Sequence, residues 1–152
     1  MTQPLDDAET ARWTAWKRAN DAVLAAVAQE IQAAAGLSAA DFSVLSRVIE
    51  NGEGSMPQQD LGAMLDWKAA RLSRQLSRMA ERGLLRREAA QGRRVLVVAT
   101  DEGRAALAVA RPAHAAAVRR ALLDPVPASA DFWTVVRDLA APAEVGNAGR
   151  AK

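Results

Sequence analysis

Apolar residues early in the chain recur near a 3.6-residue period. Trp13, Trp16, Val23, Val27 and Ile31 follow one another through residues 6–35, a stretch without internal Gly or Pro. That spacing predicts one long amphipathic helix, ended by Gly36 as a C-terminal glycine. Ser38 then suits an N-cap, with Asp41 three residues on as a weaker relative of the capping box. The helix it opens sets Phe42, Leu45, Val48 and Ile49 on one face and stops at Asn51-Gly52. Residues 51–55 read as loop by composition. Pro57 suits the first position of a short helix over 58–64, which carries Leu61 and Met64.

After a break at Leu65-Asp66, residues 67–82 predict another helix. Its inner stripe is Ala69, Leu72, Leu76 and Met79. At about 100° per residue, Arg71, Ser73, Arg74, Ser77 and Arg78 fall on the outer side. Gly83 is placed to close it. Residues 84–88 and 93–99 read as two strands, the second with Val95, Val97 and Val98, joined by a loop over 89–92 in which Gly92 supplies the turn. Thr100 caps a further helix with Asp101 and Glu102 in its first turn, matching the helix dipole. That helix is expected to run through Pro112 to Leu123, kinked at the proline. Asp124-Pro125-Val126-Pro127 breaks it, and a final short helix over 129–139 presents Phe132, Trp133, Val136 and Leu139. Residues 142–152 read as a disordered tail. The fold class is therefore mainly α with a small β wing (α+β).

Composition narrows the chemistry. At 152 residues the chain is the length of one domain and long enough to bury a real core. It has no cysteine and a single histidine, His114, so disulfide frameworks, thiolate or His-rich metal centres and thiol redox sensing are excluded as readings. We find no paired nucleophile and base, no metal-ligand spacing and no phosphate-cradling glycine loop, so no catalytic residue, metal or cofactor is expected and the chain does not read as an enzyme. No run approaches 18 apolar residues and no secretory leader is visible, so a cytoplasmic protein without a membrane span is expected.

Charge changes the picture most. Residues 68–94 hold nine Lys and Arg against only Glu81 and Glu88, a local balance of +7 in a chain whose net charge is +2. A basic block in an otherwise acidic molecule suits a polyanion, although a charge run alone is as often a solvated face. The elements carrying it decide between these. A short helix, a tight break, a second helix basic on its outer face and an arginine-bearing hairpin follow in the order of a winged helix-turn-helix. In that arrangement the second helix enters the major groove and the wing follows the backbone or the minor groove.

Over residues 36–103 the chain resembles the multiple-antibiotic-resistance regulator (MarR) family. The resemblance is carried by Gly36-Leu37-Ser38, Asp60-Leu61-Gly62-Ala63-Met64-Leu65, Arg71-Leu72-Ser73-Arg74-Gln75-Leu76-Ser77-Arg78-Met79 and Arg82-Gly83-Leu84-Leu85-Arg86-Arg87. Arg93, seven residues before Thr100-Asp101-Glu102-Gly103, completes it. Paired Trp13 and Trp16, and the segment Pro112-Ala113-His114-Ala115-Ala116-Ala117-Val118-Arg119-Arg120, are similar to an actinobacterial branch. The resemblance implies a homodimer built by helical regions at 1–37 and 100–141, with a winged helix-turn-helix at 38–99 (recognition helix 67–82, wing 84–99), all one structural unit. It further implies a palindromic double-stranded DNA operator and a repressor released by a small amphipathic ligand, such as a phenolic or aromatic acid. Family DNA contacts fall on Arg71, Ser73, Arg74, Gln75, Arg78 and the wing's Arg93. Lys68 and Arg94 join them as basic neighbours.

Three positions depart from the family pattern. Gln91 stands where an acid usually precedes the wing arginine, and Lys68 replaces the usual small polar cap, leaving capping to Asp66 or Lys68 to a phosphate. Gly62 replaces a common alanine at a cost of about 0.5–1 kcal/mol of helix stability.

Other residues carry two readings each. Trp13 and Trp16 pack a dimer interface or the core, or wall an effector pocket. His114 is a core or interface histidine or a ligand-binding or pH-sensing group, and Arg47 meets an anionic effector or makes a surface ion pair. Trp67 plugs the core or meets DNA, and Arg82, Arg86 and Arg87 touch phosphate or are merely solvated. Phe132 and Trp133 fit packing across a dimer. The competing function is a winged-helix protein-interaction module that reads no sequence; the one-sided arginine helix counts against it.

Overall fold

Side-chain caps start three of the described helices, at Asp6, Ser38 and Thr100. In the computed structural model, which describes residues 3–142, α1 (Asp7–Ala35) opens with a capping box: the Glu9 N–H donates to the Asp6 carboxylate at 2.8 Å and the Asp6 N–H donates to Glu9 at 2.9 Å. The helix ends at Gly36, whose φ of 66° puts it in the left-handed region and turns its N–H onto the Gln32 carbonyl. Ser38 and Asp41 make the second box, at 3.0 and 2.9 Å, and open α2 (Ala39–Ser46). A wider π-type turn over Arg47–Asn51 continues it.

A short strand that the sequence did not predict begins at Ser55, the last residue of the expected loop. β1 (Ser55–Pro57) pairs antiparallel with β3 (Val95–Ala99), which also pairs with β2 (Leu85–Ala89), giving a three-stranded sheet in the order β1-β3-β2. Pro57 ends that strand and stands as the cap of α3 (Gln58–Leu65) rather than as its first residue. Proline is tolerated there because an edge strand leaves some N–H positions without a ladder partner. Asp66, at φ 53°, makes the tight break, and α4 spans Ala69–Glu81, so Trp67 and Lys68 precede the helix.

α5 (Asp101–Val118) is capped by the Thr100 hydroxyl, which accepts from the Gly103 N–H at 3.0 Å, and continues unbroken across Pro112 into a second π-type turn, Arg119–Leu123. α6 is Phe132–Ala140, three residues later at its start than expected. The Trp133 indole N–H anchors it by donating to the Pro127 carbonyl at 3.0 Å.

The core lies where α2, α3, α4 and the sheet meet the C-terminal part of α1 and the first half of α5. Ile31, Leu37, Leu45, Leu61, Leu72, Leu76, Met79, Val97 and Leu107 are fully buried there. Each buried leucine is worth about 2–5 kcal/mol against alanine. α1 packs along α5, yet its first three turns, with Trp13 and Trp16, touch little of this chain. No residue of α6 is buried, and Leu139 is 75% exposed. No single helix among the described residues is long and apolar enough to cross a membrane. The expected tail falls, from residue 143 onward, outside the described residues.

Candidate nucleic-acid interface

α4 divides into two faces. Leu72, Leu76 and Met79 turn inward and are buried, while Arg71, Arg74 and Arg78 are exposed on the opposite side. Ser73 and Ser77 lie half-buried on one flank. Ala69, expected inside, is exposed; the fourth inward position belongs to Gln75. Helix spacing alone put Ala69 in the stripe, but it sits in the first turn, ahead of the packed part of the helix. α4 comes close to α3 because Gly62 lacks a side chain: a Cβ there would stand 3.3 Å from Leu72 Cδ2 and 3.6 Å from the Trp67 carbonyl oxygen.

At the start of α4, Lys68 occupies the cap position and makes no side-chain capping bond. Asp66 does not take the role over, since its left-handed backbone serves the turn from α3. Lys68 therefore stands exposed at the positive end of the helix dipole, an arrangement that attracts an anion. The Arg71 guanidinium lies 4.0 Å from the centroid of the Trp67 ring, and Trp67 packs against the core. Trp67 thus plugs the domain and braces an outward arginine at once.

The wing tip is one residue longer than the sequence implies, five residues between β2 and β3 rather than four. Arg93 and Arg94 sit in the turn rather than in β3, closed by the Ala90 N–H donating to the Arg94 carbonyl at 2.8 Å. Gly92 at φ 73° and Arg93 at φ 63° are both left-handed, which turns exposed arginines out at the tip. A cleft of about 720 Å³ runs between this tip and the start of α3 and α4, lined among others by Gln58, Asp66, Trp67, Ala69, Arg93 and Arg94. Of the other strand arginines, Arg86 pairs with Glu88 at 2.7 Å, and the Arg87 Nη2 donates to the Ser77 Oγ at 2.6 Å, tying β2 to α4.

Beneath the arginine face lies a polar node that periodicity did not reveal. Asp41, buried to 2% exposure, accepts from the Gln75 Nε2 at 2.7 Å, from the Arg82 Nη1 at 2.6 Å and from the Ser38 N–H. Gln75 in turn accepts from the Arg78 Nη2 at 2.9 Å, and Arg82 also donates to the Gly36 carbonyl at 2.8 Å. Gln75, expected among the DNA contacts, is buried and has its amide engaged below the surface. Arg82 likewise joins α4 to the α1–α2 corner. The signal that could have found the node was Asp41, a carboxylate one position from Phe42 on an otherwise apolar helix face.

The four residues named for an effector divide into two pairs. Arg47 and His114 line one cavity of about 390 Å³, with Phe42, Glu50, Leu65 and Arg111. His114 stacks on Phe42, ring centroids 4.5 Å apart at 19°, and Arg111 pairs with Glu50 at 2.8 Å. Trp13 and Trp16 lie away from this cavity on α1, at 53% and 45% exposure. Phe42 and Arg111 were not anticipated as lining. The cavity offers an aromatic wall and two arginines against one carboxylate. No group of three or more His, Cys, Asp or Glu among the described residues could hold a metal ion.

Comparison with known proteins agrees with this geometry. The sequence profile of the MarR family matches residues 35–94. No protein of curated function matches the chain by sequence. Among solved structures, the chain is similar to AbsC, a MarR family transcriptional regulator from Streptomyces coelicolor, at 28% identity and a TM-score of 0.80 over 91% of this chain and 93% of that one. A second MarR family regulator from the same organism, solved in complex with DNA, superposes with a TM-score of 0.82 at 24% identity, covering 95% and 96% of the two chains. CouR from Rhodococcus jostii RHA1, bound to p-coumaroyl-CoA, is 28% identical with a TM-score of 0.64, covering 82% of this chain and 83% of that one.

Proposed function

We propose that the chain, whose residues 35–94 match the MarR family profile, is a dimeric, sequence-specific double-stranded-DNA-binding transcriptional regulator, a repressor released by a small aromatic acid. The observation that carries this reading is the arginine face of α4: Arg71, Arg74 and Arg78 are exposed above a fully packed reverse side, with Lys68 at the helix start and Arg93 and Arg94 at the wing. Arginines on such a helix donate bidentately to guanine edges, and the wing and Lys68 meet phosphate. A solved relative of the same fold is bound to DNA.

The dimer is supported by apolar surface that one chain leaves open on its outermost helices: Trp13, Trp16 and Leu24 on α1, and Phe132, Val135 and Leu139 on α6. A second copy that covers these residues places two α4 helices about 34–36 Å apart, in successive major grooves of a palindrome. The regions 1–37 and 100–141 are then the dimerisation elements, and the protein works in the cytoplasm as a binding protein rather than an enzyme.

Ligand response is supported by the cavity at Arg47 and His114. Its arginines suit a carboxylate and its Phe42–His114 stack suits an aromatic ring. A solved relative binds p-coumaroyl-CoA. Phe42 walls the cavity while its neighbour Asp41 holds Gln75 and Arg82, so a ligand that shifts α2 acts on α4.

The test is selection of duplexes from a random-sequence library, followed by titration of the selected duplex. A palindromic consensus is expected, with affinity falling steeply between about 50 and 200 mM salt because each phosphate neutralised releases about 0.9 counterion. Arg74→Ala should weaken the selected duplex more than random DNA, and salicylate should release DNA from the wild type but not from Arg47→Ala. No consensus, or binding indifferent to salt, refutes the reading.

A further inference from the structure

Gln75 lies on the border between the two faces of α4, about 60° around the helix from Arg78 and about 40° from the buried Met79. Its side chain is 6% exposed and makes two hydrogen bonds of opposite sense. The amide nitrogen donates to Asp41 Oδ1 at 2.7 Å and the amide oxygen accepts from Arg78 Nη2 at 2.9 Å. The direction is forced, since a carboxylate only accepts and a guanidinium only donates. Glutamine alone among side chains of this length carries both functions, so residue type and geometry agree. Asp41 is itself fixed by the Ser38 N–H and by Arg82.

We infer that Gln75 is a positioning residue for DNA reading: it touches no base, but holds the Arg78 guanidinium in one orientation against a support anchored on α2. The inference rests on the reading of α4 as the recognition helix. A free arginine loses rotamer entropy on docking; Arg78 has given part of it up before DNA arrives, and its fork is aimed. Base preference at the Arg78 position therefore depends on a buried amide and, through it, on Asp41.

The experiment uses the full-length protein, the duplex that the wild type selects from a random library, and a scrambled duplex. Gln75→Met keeps side-chain length and apolar filling but has neither donor nor acceptor. Its affinity for the selected duplex should fall about five- to tenfold, within the range of one specific base contact, with less than about twofold change on the scrambled duplex. Preference should flatten at the same base position that Arg78→Ala flattens. In an Arg78→Ala background, Gln75→Met should cost nothing further, because the residue acts only through Arg78.

A second variant guards against a merely unstable helix. Asp41→Asn with Gln75→Glu reverses donor and acceptor across the first bond and still offers Arg78 an acceptor, so base preference should return to within about twofold of wild type. Additive losses in the double variant, or an unchanged preference in Gln75→Met while Arg78→Ala loses it, overturn this inference alone. A wild type that selects no sequence overturns it together with the DNA-binding reading.

Discussion

Replacing Asp41 by alanine removes one carboxylate from three donors, and the structure allows the loss to be worked out donor by donor. The Gln75 amide nitrogen, in a side chain only 6% exposed, loses its acceptor where water does not reach freely, a cost of about 1–3 kcal/mol. The Ser38 N–H loses the returning half of its capping box, worth up to about 1 kcal/mol. Arg82 is a different case: its side chain is 47% exposed, so it returns to water and the ion pair counts for about 0–1 kcal/mol. Asp41→Ala should therefore destabilise the protein by about 2–4 kcal/mol. Arg82→Ala should cost about 1 kcal/mol, because Asp41 keeps the Ser38 and Gln75 donors and gains water where the guanidinium lay. Urea unfolding followed by tryptophan fluorescence and circular dichroism, at one fixed protein concentration, measures both through the midpoint at unchanged slope. If Arg82→Ala proves as costly as Asp41→Ala, the charge pair rather than the buried amide dominates and the reasoning is wrong. If both fall within about 0.5 kcal/mol of wild type, the range of ordinary surface substitutions, the node holds nothing together.

Two further substitutions follow from backbone geometry. A Cβ on Gly103 would be driven into the Leu84 carbonyl oxygen, with Leu84 C at 3.0 Å and Leu45 Cδ2 at 3.2 Å, so Gly103→Ala should destabilise by about 3 kcal/mol or more despite its better helix propensity. Unfolding midpoints equal to wild type would show that α5 can slide away from β2. Arg93→Gly relieves a left-handed non-glycine residue and should raise stability by up to about 1 kcal/mol, while the slope of log affinity against log salt falls by about one contact. A lower unfolding midpoint, or an unchanged salt slope, would show that the Arg93 side chain serves the fold rather than DNA.

How much of this was legible in the sequence depended on how local its cause was. The caps at Ser38 and Thr100, the turns at Gly36, Gly83 and Gly92, and the arginine stripe of α4 each arise from residues within one or two helical turns of each other, and the structure has them where the sequence put them. β1 was not legible: Ser55–Pro57 is three residues long, contains proline and is a strand only because β3, some forty residues on, offers it an edge. The π-type turns at Arg47–Asn51 and Arg119–Leu123 were not legible either: each widens a helix just before the stop the sequence marks, at Gly52 and at Asp124-Pro125, and no residue pattern announces the widening. At the cavity beside His114 the same rule separated the four candidates: Arg47 and His114 are brought together by the turn after α2 against α5, whereas among the described residues nothing brings Trp13 and Trp16 to them.

Gln75 shows why a helical pattern misleads most at its edges. At the border of α4's two faces a polar side chain can turn outward to a ligand or inward to a partner, and periodicity scores both alike. The partner that decided it, Asp41, lies 34 residues earlier and had already been accounted for as a capping residue. One carboxylate thus performs two tasks: it starts α2 and it supports the amide that holds Arg78. Because Phe42, the next residue, forms a wall of the cavity at His114, the cap, the cavity and the support of the arginine face share adjacent residues at the start of α2. A rotation of α2 that moved Phe42 would move Asp41 with it, since both sit in the same first turn. The ligand response proposed above would need no chain of intermediaries across the molecule, only the rigidity of a single helical turn.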